Sequence, residues 1–516
     1  MIAPRRIKTS KYLSFLLIIV SILFLSTCSK PAGIRKINGE VISPLEVDKI
    51  VEELMDSANV SGLCLAVLNE NKPVNIKTYG FRNIDENLML DKNSVMPAAS
   101  FSKAVFSYLV MQLVQERVLE IDKPLYTYLE KPLPEYDNYQ DLNNTDLWKQ
   151  LTARTCLSHT TGFANMRELT GGELKFFFEP GTHYAYSGEG IDLLQFVVEE
   201  ITGRDIEDLA SEKVFNPLGM KRTSYVWQDK FGKNHAVGHN MIGASIEHHK
   251  REKAKAGGSL YTTINDYSTF ISAVMKKKGL DDDTWDLMLT PSIRIRSKHQ
   301  FPTLSNEITD KYDPIDLSYG LGWGLFNTEY GRAFFKEGHG NGCQHYNVNF
   351  IDQKTSIILM TNSDNGEKIF KYLLENIISD IYTPWEWEDY LPYDVIEPQS
   401  IGRYLYDIIL FQDIDQAVAM YKEIKSSKMK RYFVFTEGEL NGLGYQMIRE
   451  KKYDAAIKLF LQNVEEFPGS ANAYDSLGEA YILNGEIDLA KVSYEKSLEL
   501  DKNNIHAKEQ LIIIGE

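Results

Sequence analysis

The sequence predicts an α+β fold of two lobes that is followed by an α-helical repeat region. Strand-like segments occur twice, at residues 61–83 and again from about residue 317. The stretch from about 120 to 260 has helical periodicity and is broken by glycine and proline. The last part of the chain, residues 401–516, repeats a helical pattern. We therefore expect an antiparallel sheet flanked by helices, an all-helical lobe, and a helical tail.

The sheet is predicted by short apolar segments that are separated by turn residues. Its first two strands lie in SGLCLAVLNENKPVNIKTYGFRN, on either side of the polar turn NENKP. The others lie in LSYGLGWGLF, RAFFKEGHG, QHYNVNFID and TSIILMTNS, and EKIFKYLLENIISDIY then closes the region as a helix. A cleft between such a sheet and a helical lobe is a natural place for a functional site.

Length and charge limit the function classes. The chain has 516 residues, too many for one ordinary domain, and its 43% hydrophobic content is enough for sizeable cores. The formal net charge is −16 at pH 7, and the sequence has no basic patch. Because nucleic-acid-binding domains normally have the opposite charge balance, we do not expect a DNA or RNA partner.

The N-terminus predicts export to the cell envelope. The basic segment MIAPRRIKTSKY precedes the apolar run LSFLLIIVSILFL, as in a secretory signal. The run ends in LSTCSK, which resembles a bacterial lipobox with Cys28 as the lipid attachment site, although Thr27 departs from the usual glycine or alanine. We expect a signal peptide over 1–27, a linker over 28–44, and a membrane lipoprotein that faces the periplasm or the exterior. An uncleaved signal anchor is the alternative.

The cysteines and histidines predict neither a disulfide framework nor a metal centre. The three cysteines after Cys28 lie far apart and are odd in number. His235, His239 and the pair His248–His249 occur in a polar, glycine-containing stretch without a nearby aspartate ligand. Exposed loop histidines are the simpler interpretation, so we expect no metal and no other cofactor.

The C-terminal region contains one helical pattern twice, as YDAAIKLFLQNVEEFP and IDLAKVSYEKSLELDK. The period is about 34 residues, the length of a tetratricopeptide repeat. The matched positions are Gly444 and Gly478, Ala456 and Ala490, and Phe460 and Tyr494. We expect tetratricopeptide-like repeats over 401–516 after a linker over 383–400. The repeats either bind a protein partner in a concave groove or pack against the preceding domain.

The stretch MPAASFSKAVFSYLVMQLV places Ser100 at the start of a helix, with Lys103 one turn later. Residues three apart share one face of a helix, so the lysine amine can reach the serine hydroxyl. Burial among apolar neighbours would lower the pKa of the lysine, and a serine–lysine pair can then act in nucleophilic catalysis. Ser-x-x-Lys also occurs at Ser427–Lys430 and Ser493–Lys496, which we interpret as chance. A plain helix N-cap is the alternative for Ser100.

From about residue 45 to 382 the chain resembles the serine β-lactamase-related family, near class C β-lactamases and D-Ala-D-Ala carboxypeptidases. Ser100–Lys103 matches the first family motif. LSHTTGFAN matches the Leu-x-His-Thr-x-Gly segment, and FEPGTHYAYSGEG contains the second motif, usually Tyr-x-Asn. NPLGMKRTS and AGGSLYTTINDYSTF match two further segments, and YGLGWG followed by EGHGNG matches the approach to the third motif. The number and order of these segments carry the resemblance.

The resemblance implies a β-lactamase/transpeptidase-like fold and a serine hydrolase that forms an acyl-enzyme on an ester, an amide or a D-amino-acid peptide. Ser100 would be the nucleophile, Lys103 its general base, and Tyr186 a proton relay, as a phenolate or as a hydrogen-bonding group. His339 would hold a substrate carboxylate or assist Tyr186. The backbone N–H groups of Ser100 and Gly342 would form the oxyanion hole.

Two motif positions differ from the family pattern. Gly188 stands where the second motif has asparagine, so a side-chain amide that would hold the substrate amide is missing. The third motif is His339-Gly340-Asn341, with asparagine where the family prefers glycine. An unperturbed histidine is mostly neutral at pH 7, whereas the usual lysine is charged. Hydrolysis of β-lactams is therefore the less expected use of this scaffold.

A second hypothesis is a non-catalytic binding or sensor lipoprotein, which the altered motifs and the repeat tail would fit. A degenerate relative more often loses its serine or lysine, and both are present here. The sequence therefore favours the hydrolase without naming its substrate. We interpret His159 and His183 as structural residues, and Glu189 as a helix-entry residue.

Overall fold

The computed structural model describes residues 33–246, 250–396 and 398–515. Nine strands, numbered in chain order, form its central sheet: β1 Gly62–Asn69, β2 Lys72–Asn83, β3 Leu88–Met89, β4 Ile293–Arg294, β5 Ser318–Tyr319, β6 Gly324–Thr328, β7 Gly331–Gly340, β8 Cys343–Phe350 and β9 Thr355–Thr361. Their order across the sheet is β4-β5-β6-β7-β8-β9-β1-β2-β3. Every neighbouring pair is antiparallel, which confirms the predicted sheet.

The α-helices lie before, within and after the strands of this sheet. In chain order they are α1 Pro44–Ala58, α2 Phe101–Gln115, α3 Ala153–Leu157, α4 Gly188–Thr202, α5 Ile206–Ala210, α6 Asn216–Leu218, α7 Ile264–Met275, α8 Asp282–Met288, α9 Glu367–Ile378, α10 Ile401–Phe411, α11 Ile414–Ser426, α12 Glu437–Arg449, α13 Tyr453–Glu466, α14 Ala471–Asn484, α15 Ile487–Leu500 and α16 Ile505–Gly515. The insert between β3 and β4 carries α2 to α8. It is mostly helical and not the all-helical lobe predicted, because it also contains the strand pairs Met96–Pro97 with Tyr261–Thr262 and Gly238–His239 with Ser245–Ile246.

Alternate residues of β1 enter two different hydrophobic cores, because successive side chains of a strand point to opposite faces. Leu65 and Val67 belong to a core that includes α1 and α9. Ala66 and Leu68 belong to the core that includes α2 and α7. Helix α2 is buried from Phe101 to Leu113, so its first turn is fixed by packing on all sides.

Four short strand pairs lie outside the sheet: Ile34–Arg35 with Val41–Ile42, Met96–Pro97 with Tyr261–Thr262, Gly238–His239 with Ser245–Ile246, and Gln399–Ser400 with Phe433–Val434. The pair Met96–Pro97 with Tyr261–Thr262 matters for the site. It joins the segment before α2 to the segment before α7. The residues just ahead of each helix therefore lie side by side.

The tail is a series of helical hairpins in which a glycine of one helix meets an aromatic ring of the next. A Cβ built on Gly444 of α12 would lie 2.4 Å from Phe460 of α13. A Cβ built on Gly478 of α14 would lie 2.9 Å from Tyr494 of α15. Both glycines are therefore required by close packing, and the two aligned pairs of the sequence repeat occupy equivalent places. That these hairpins are tetratricopeptide repeats remains a prediction.

The tail packs against the rest of the protein. Met241, from the loop after Gly238–His239, is 5% exposed and belongs to the hydrophobic core of the tail. Tyr404 of α10 donates to Asp364 over 3.4 Å, and the Lys368 amine lies 4.5 Å from the ring centre of Tyr432. These contacts correspond to the packed alternative for the tail.

The predicted signal peptide and Cys28 lie outside the described residues. Within the described ranges, no helix has both the length and the apolar character needed to span a bilayer.

Candidate active site

Ser100 stands at the end of a tight turn that leads into α2. The residue before it, Ala99, has a φ of +46°, a left-handed conformation that costs free energy for a residue with a Cβ. Two hydrogen bonds hold the turn: Ser102 Oγ donates to the Ala99 carbonyl over 2.5 Å, and the Ala98 N–H donates to the Leu260 carbonyl over 2.7 Å. The serine is thereby presented on a strained, fixed backbone.

The Ser100 hydroxyl does not cap α2. It makes no hydrogen bond with the first backbone N–H groups of the helix. Instead, Lys103 Nζ lies 3.0 Å from Ser100 Oγ, at hydrogen-bond distance. The one-turn spacing seen in the sequence thus brings the amine to the hydroxyl, and the helix-cap alternative does not describe this serine.

Lys103 is buried beneath the serine, where it is only 4% exposed. Its amine also donates to the Gly257 carbonyl over 2.5 Å. Burial, together with the nearby positive charge of Lys336, lowers the pKa of Lys103 to about 7. A large fraction of the amine is therefore neutral near pH 7, as a general base for the serine requires.

Tyr186 lies on the other side of the Lys103 amine, which is 4.9 Å from the centre of the tyrosine ring. The ring is 3% exposed and packs against His159, with 4.2 Å between the ring centres. Burial and the carboxylate of Glu337 raise the pKa of Tyr186 well above its ordinary value, and hydrogen bonding to Ser100 opposes them. Tyr186 is therefore a neutral hydrogen-bonding group at pH 7, which favours the relay over the phenolate. We call Ser100, Lys103 and Tyr186 the acylation centre.

Sequence reasoning missed a buried ion pair beside the acylation centre. Lys336 of β7 is completely buried, and its amine lies 3.3 Å from the Tyr186 hydroxyl. The same amine donates to Glu337 Oε1 over 2.5 Å, and that carboxylate also accepts from Gln300 over 3.4 Å. Burial lowers the pKa of Lys336, and Glu337 opposes this shift. The available signal was two adjacent charged residues inside the apolar segment RAFFKEG.

The pleat of β7 explains which residues approach the serine. A Cβ built on Gly338 would lie 2.9 Å from the Ala98 carbonyl, and one built on Gly340 would lie 3.5 Å from the Ala99 side chain. Lys336, Gly338 and Gly340 therefore share the face toward the turn before α2, because residues two apart on a strand point the same way. His339 belongs to the opposite set.

His339 is hydrogen-bonded outside the acylation centre. Its Nδ1 lies 2.7 Å from the Glu367 carboxylate at the start of α9, and the imidazole is 55% exposed. The negative charge of Glu367 raises the pKa of His339 to about 9. Among the described residues, no hydrogen bond joins His339 to Ser100, Lys103 or Tyr186. The structure thus shows the expected carboxylate-binding residue in an ion pair with Glu367.

Gly342 lies in the turn between β7 and β8, and its N–H is already occupied. It donates to Asp364 Oδ1 over 2.6 Å. Burial raises the pKa of Asp364 to about 6, so the carboxylate is largely charged at pH 7. In this arrangement Gly342 is not free to stabilise an oxyanion. The N–H of Ser100, by contrast, has no hydrogen-bond partner among the described residues.

The other histidines and Glu189 have structural partners. His159 Nδ1 accepts from the Ser187 N–H over 3.2 Å, and His239 Nδ1 lies 3.0 Å from the Asn362 carbonyl oxygen. His183 Nδ1 lies 2.8 Å from Thr182 Oγ1, while His248 and His249 lie outside the described residues. Glu189 forms an ion pair with Arg167 over 2.7 Å. No cluster of histidine, cysteine and acidic residues within the described ranges is suited to a metal ion.

Comparison with known families matches residues 47–379 to the Beta-lactamase family model. Among curated proteins, Protein flp of Staphylococcus aureus (strain N315) is 24% identical over 356 residues, which cover 65% of this chain and 67% of that protein. The D-aminopeptidase of Brucella anthropi is 25% identical over 349 residues, which cover 64% of this chain and 62% of that enzyme. The helical tail lies beyond the family match.

Two solved structures share the fold. The octameric penicillin-binding protein homologue from Pyrococcus abyssi aligns with a TM-score of 0.53 at 16% identity, over 66% of this chain and 80% of the other. The D-alanine carboxypeptidase AmpC from Burkholderia cenocepacia aligns with a TM-score of 0.51 at 15% identity, over 64% of this chain and 97% of the other.

Proposed function

Because the chain belongs to the beta-lactamase family, we propose that it is a serine hydrolase that acts outside the cytoplasm through an acyl-enzyme. One observation carries the proposal: the hydroxyl of Ser100 lies 3.0 Å from a buried amine. A lysine with a pKa of about 7 can accept the serine proton at neutral pH. A purely structural serine at a helix start would hydrogen-bond to the helix backbone instead.

The geometry supports the following reaction. Ser100 Oγ attacks the carbonyl carbon of the substrate, and its proton passes to the neutral amine of Lys103. The N–H of Ser100 stabilises the negative oxygen that forms. The bond to the leaving group then breaks, and the leaving group takes a proton from the Tyr186 hydroxyl, which regains one from the Lys103 ammonium. A water molecule then attacks the carbonyl carbon of the acyl-enzyme and gives a proton to the neutral amine of Lys103. The bond to Ser100 Oγ breaks, and the Lys103 ammonium returns the proton to that oxygen.

The substrate class is proposed as an ester, an amide or a D-amino-acid peptide. The names of two similar proteins, a D-aminopeptidase and a D-alanine carboxypeptidase, support the D-amino-acid class. The imidazole of His339 and the N–H of Gly342 are already hydrogen-bonded to Glu367 and Asp364. We therefore propose a substrate whose binding does not require these third-motif residues. Hydrolysis of β-lactams is therefore not the proposed activity.

The test is the intact mass of the protein after exposure to a fluorophosphonate and, separately, to a penicillin. We expect a fluorophosphonate adduct on the wild type and none on Ser100→Ala. Ser427→Ala is the matched control, because Ser427–Lys430 has the same spacing but Ser427 Oγ accepts the Met429 N–H over 3.1 Å as an ordinary cap. Wild-type protein without any adduct would contradict the proposal.

The same measurement tests the alternative of a non-catalytic binding lipoprotein. That alternative is favoured by the engagement of His339 and Gly342 with carboxylates outside the acylation centre. A sensor that binds its ligand without turnover would either form a penicillin adduct that is not hydrolysed or form no penicillin adduct. Turnover of an ester by the wild type and its loss in Ser100→Ala would exclude the alternative.

We also propose that lipid on Cys28 anchors the enzyme to a membrane of the cell envelope, supported by the signal-like segment before it. Cells supplied with a labelled fatty acid should incorporate the label into the wild type and not into Cys28→Ser. The variant should then appear in the soluble envelope fraction. Unchanged labelling in Cys28→Ser would contradict this anchor.

A further inference from the structure

We propose that the outer face of α16, in the helical tail, binds a second copy of this chain in an antiparallel pair with two-fold symmetry. The outer face is formed by Ile505, Lys508, Glu509, Ile512 and Ile513, which are all exposed. The proposal concerns assembly and does not depend on the hydrolase function. It makes the tail an interface between copies of the protein.

The first support is that α16 is apolar on two opposite sides. Ala507, Leu511 and Ile514 pack against the hydrophobic core of the tail. Ile505 and Ile512 are seven residues apart, so they lie on one stripe of the helix, and they are 69% and 64% exposed. A helix that is apolar on all sides is normally buried, so a partner is expected on the outer face.

The second support is the position of Ile512 in the repeat. Gly444 of α12 and Gly478 of α14 each lie against an aromatic ring of the next helix. The residue one period later is Ile512 of α16. The side that receives the next helix in the two hairpins is therefore uncovered on α16. Terminal helices of soluble repeat arrays have a polar outer face, whereas this outer face carries three exposed isoleucines.

The third support, which identifies the partner, is the order of residues along the outer face. A two-fold axis between Lys508 and Glu509 places each lysine opposite the glutamate of the other copy when the two helices are antiparallel. The same axis places Ile505 opposite Ile512, because both lie at an equal sequence distance from the axis. The outer face is therefore complementary to itself in charge and in apolar character.

The charged residues at the centre of the outer face are available for this contact. His506, which points toward the tail, forms an ion pair with Asp475 of α14 over 2.8 Å. Lys508 and Glu509, by contrast, are exposed and have no ionic partner among the described residues. Two ion pairs between the copies would fix the direction and register of the helices, while the isoleucines supply the buried apolar area.

The small size of the outer face implies a weak dimer in solution. A pair of single helices buries less surface than a typical stable interface between proteins. The lipid anchor proposed for Cys28 would hold the copies on one membrane and raise their effective concentration. The interface therefore suits a membrane-bound protein.

The test exchanges the two charges and measures association by sedimentation velocity of the full chain in a non-ionic detergent, over a roughly hundredfold range of concentration. We expect the wild type to dimerise. Lys508→Glu and Glu509→Lys should each weaken the dimer roughly tenfold or more, because each places like charges opposite one another twice. The double variant Lys508→Glu/Glu509→Lys should restore association to within about threefold of the wild type. Lys428→Glu, an exposed residue elsewhere in the tail, is the control and should dimerise normally.

A second measurement tests the register of the pair. After mild oxidation, Ile505→Cys/Ile512→Cys in one chain should give a disulfide-linked dimer on a non-reducing gel. Each single variant should give none, because the axis places neither residue opposite itself. A disulfide within one chain is not possible, since seven helical residues span about 10 Å and a disulfide joins Cα atoms less than about 7 Å apart.

The other outcomes overturn the proposal. A wild type that stays monomeric over the whole concentration range would leave the outer face to another protein, to a membrane or to no partner. Equal dimerisation of the wild type and all charge variants would place the contact elsewhere. A double variant that stays as weak as the single variants would exclude the pairing of Lys508 with Glu509. Thermal unfolding of each variant distinguishes a loss of folding from dissociation.

Discussion

In the acylation centre the polar groups are bound to one another, whereas in the β7–β8 hairpin, residues 338–343, they are bound to acidic residues of other elements. Ser100 meets Lys103 over 3.0 Å beneath a packed helix start. His339 and Gly342 are held by Glu367 and by Asp364, over 2.7 and 2.6 Å. Both regions come from motif segments, yet only in the first do the motif residues hydrogen-bond to one another.

The two regions differ in the partners of their polar groups and not in burial alone, because Gly342 is also buried. Buried groups have shifted pKa values and fixed geometry, as Lys103 does. The exposed imidazole of His339 lies in a salt bridge that water screens. Lys336 lies three residues before His339 on the same strand and on its other face, and its amine is 3.3 Å from the Tyr186 hydroxyl.

The largest expected effect comes from removing the base of the acylation centre. Lys103→Met should lower kcat/KM for ester hydrolysis by roughly a thousandfold, because general-base catalysis contributes about 10²–10⁴. Lys430→Met is the control with the same motif spacing and should have no effect. Stopped-flow release of p-nitrophenol measures both. Activity within tenfold of the wild type would mean that Lys103 is not the base.

The pH dependence of kcat/KM should follow the neutral form of Lys103. Since the pKa is lowered to about 7 and the base acts unprotonated, the rate should rise about tenfold per pH unit below pH 7 and level off above it. The profile is measured from pH 5 to 9 with a neutral ester. A rate that falls across this range would contradict the role of the free amine.

Removing the buried ion pair should have an intermediate effect. The double variant Lys336→Met/Glu337→Gln should lose roughly tenfold in kcat, because the Tyr186 hydroxyl loses the amine 3.3 Å away. Lys336→Met alone leaves the buried carboxylate of Glu337 without its positively charged partner and should also cost about 3–5 kcal/mol of stability. Thermal unfolding measures the loss of stability separately from the loss of kcat. Full activity in the double variant would limit the pair to a structural role.

The smallest effect is expected in the hairpin. His339→Gln should change kcat/KM by less than about threefold for a neutral ester, because the imidazole is hydrogen-bonded to Glu367 and, among the described residues, to no member of the acylation centre. A matched ester that carries a carboxylate should respond equally. A selective loss for the acidic ester, largest below the raised pKa of His339, would restore the carboxylate-binding role that the resemblance implies and would break the contrast between the two regions.

Features that depend on local spacing were predictable from the sequence. Ser100 and Lys103 are one helical turn apart, so the helix alone brings them together. The strand pair at 61–83 and the antiparallel sheet followed from apolar segments and turn residues. The family model that matches residues 47–379 supports the family resemblance predicted from the motif segments.

Features that depend on tertiary register were not predictable. The Lys336 side chain lies beside Tyr186 because the pleat of β7 directs it to the face of the strand that meets the turn before α2. A sequence motif does not show which face of the sheet a residue occupies. The Gly188 N–H donates to Asn165 Oδ1 of a distant loop over 3.0 Å, a contact that the motif around Gly188 does not predict. The engagement of Gly342 depends on Asp364, a residue that no motif contains.

The packing of the tail limits which other helical repeat regions could follow the preceding domain. A version that ended before residue 399 would keep every member of the acylation centre, yet it would uncover the apolar side chain of Met241 and remove Tyr404 from Asp364. Because Asp364 also accepts from the Gly342 N–H, loss of the tail would remove a hydrogen bond from the carboxylate that fixes this turn. Exchange of the tail for another repeat array would therefore require matched changes at Met241, Asp364 and Lys368.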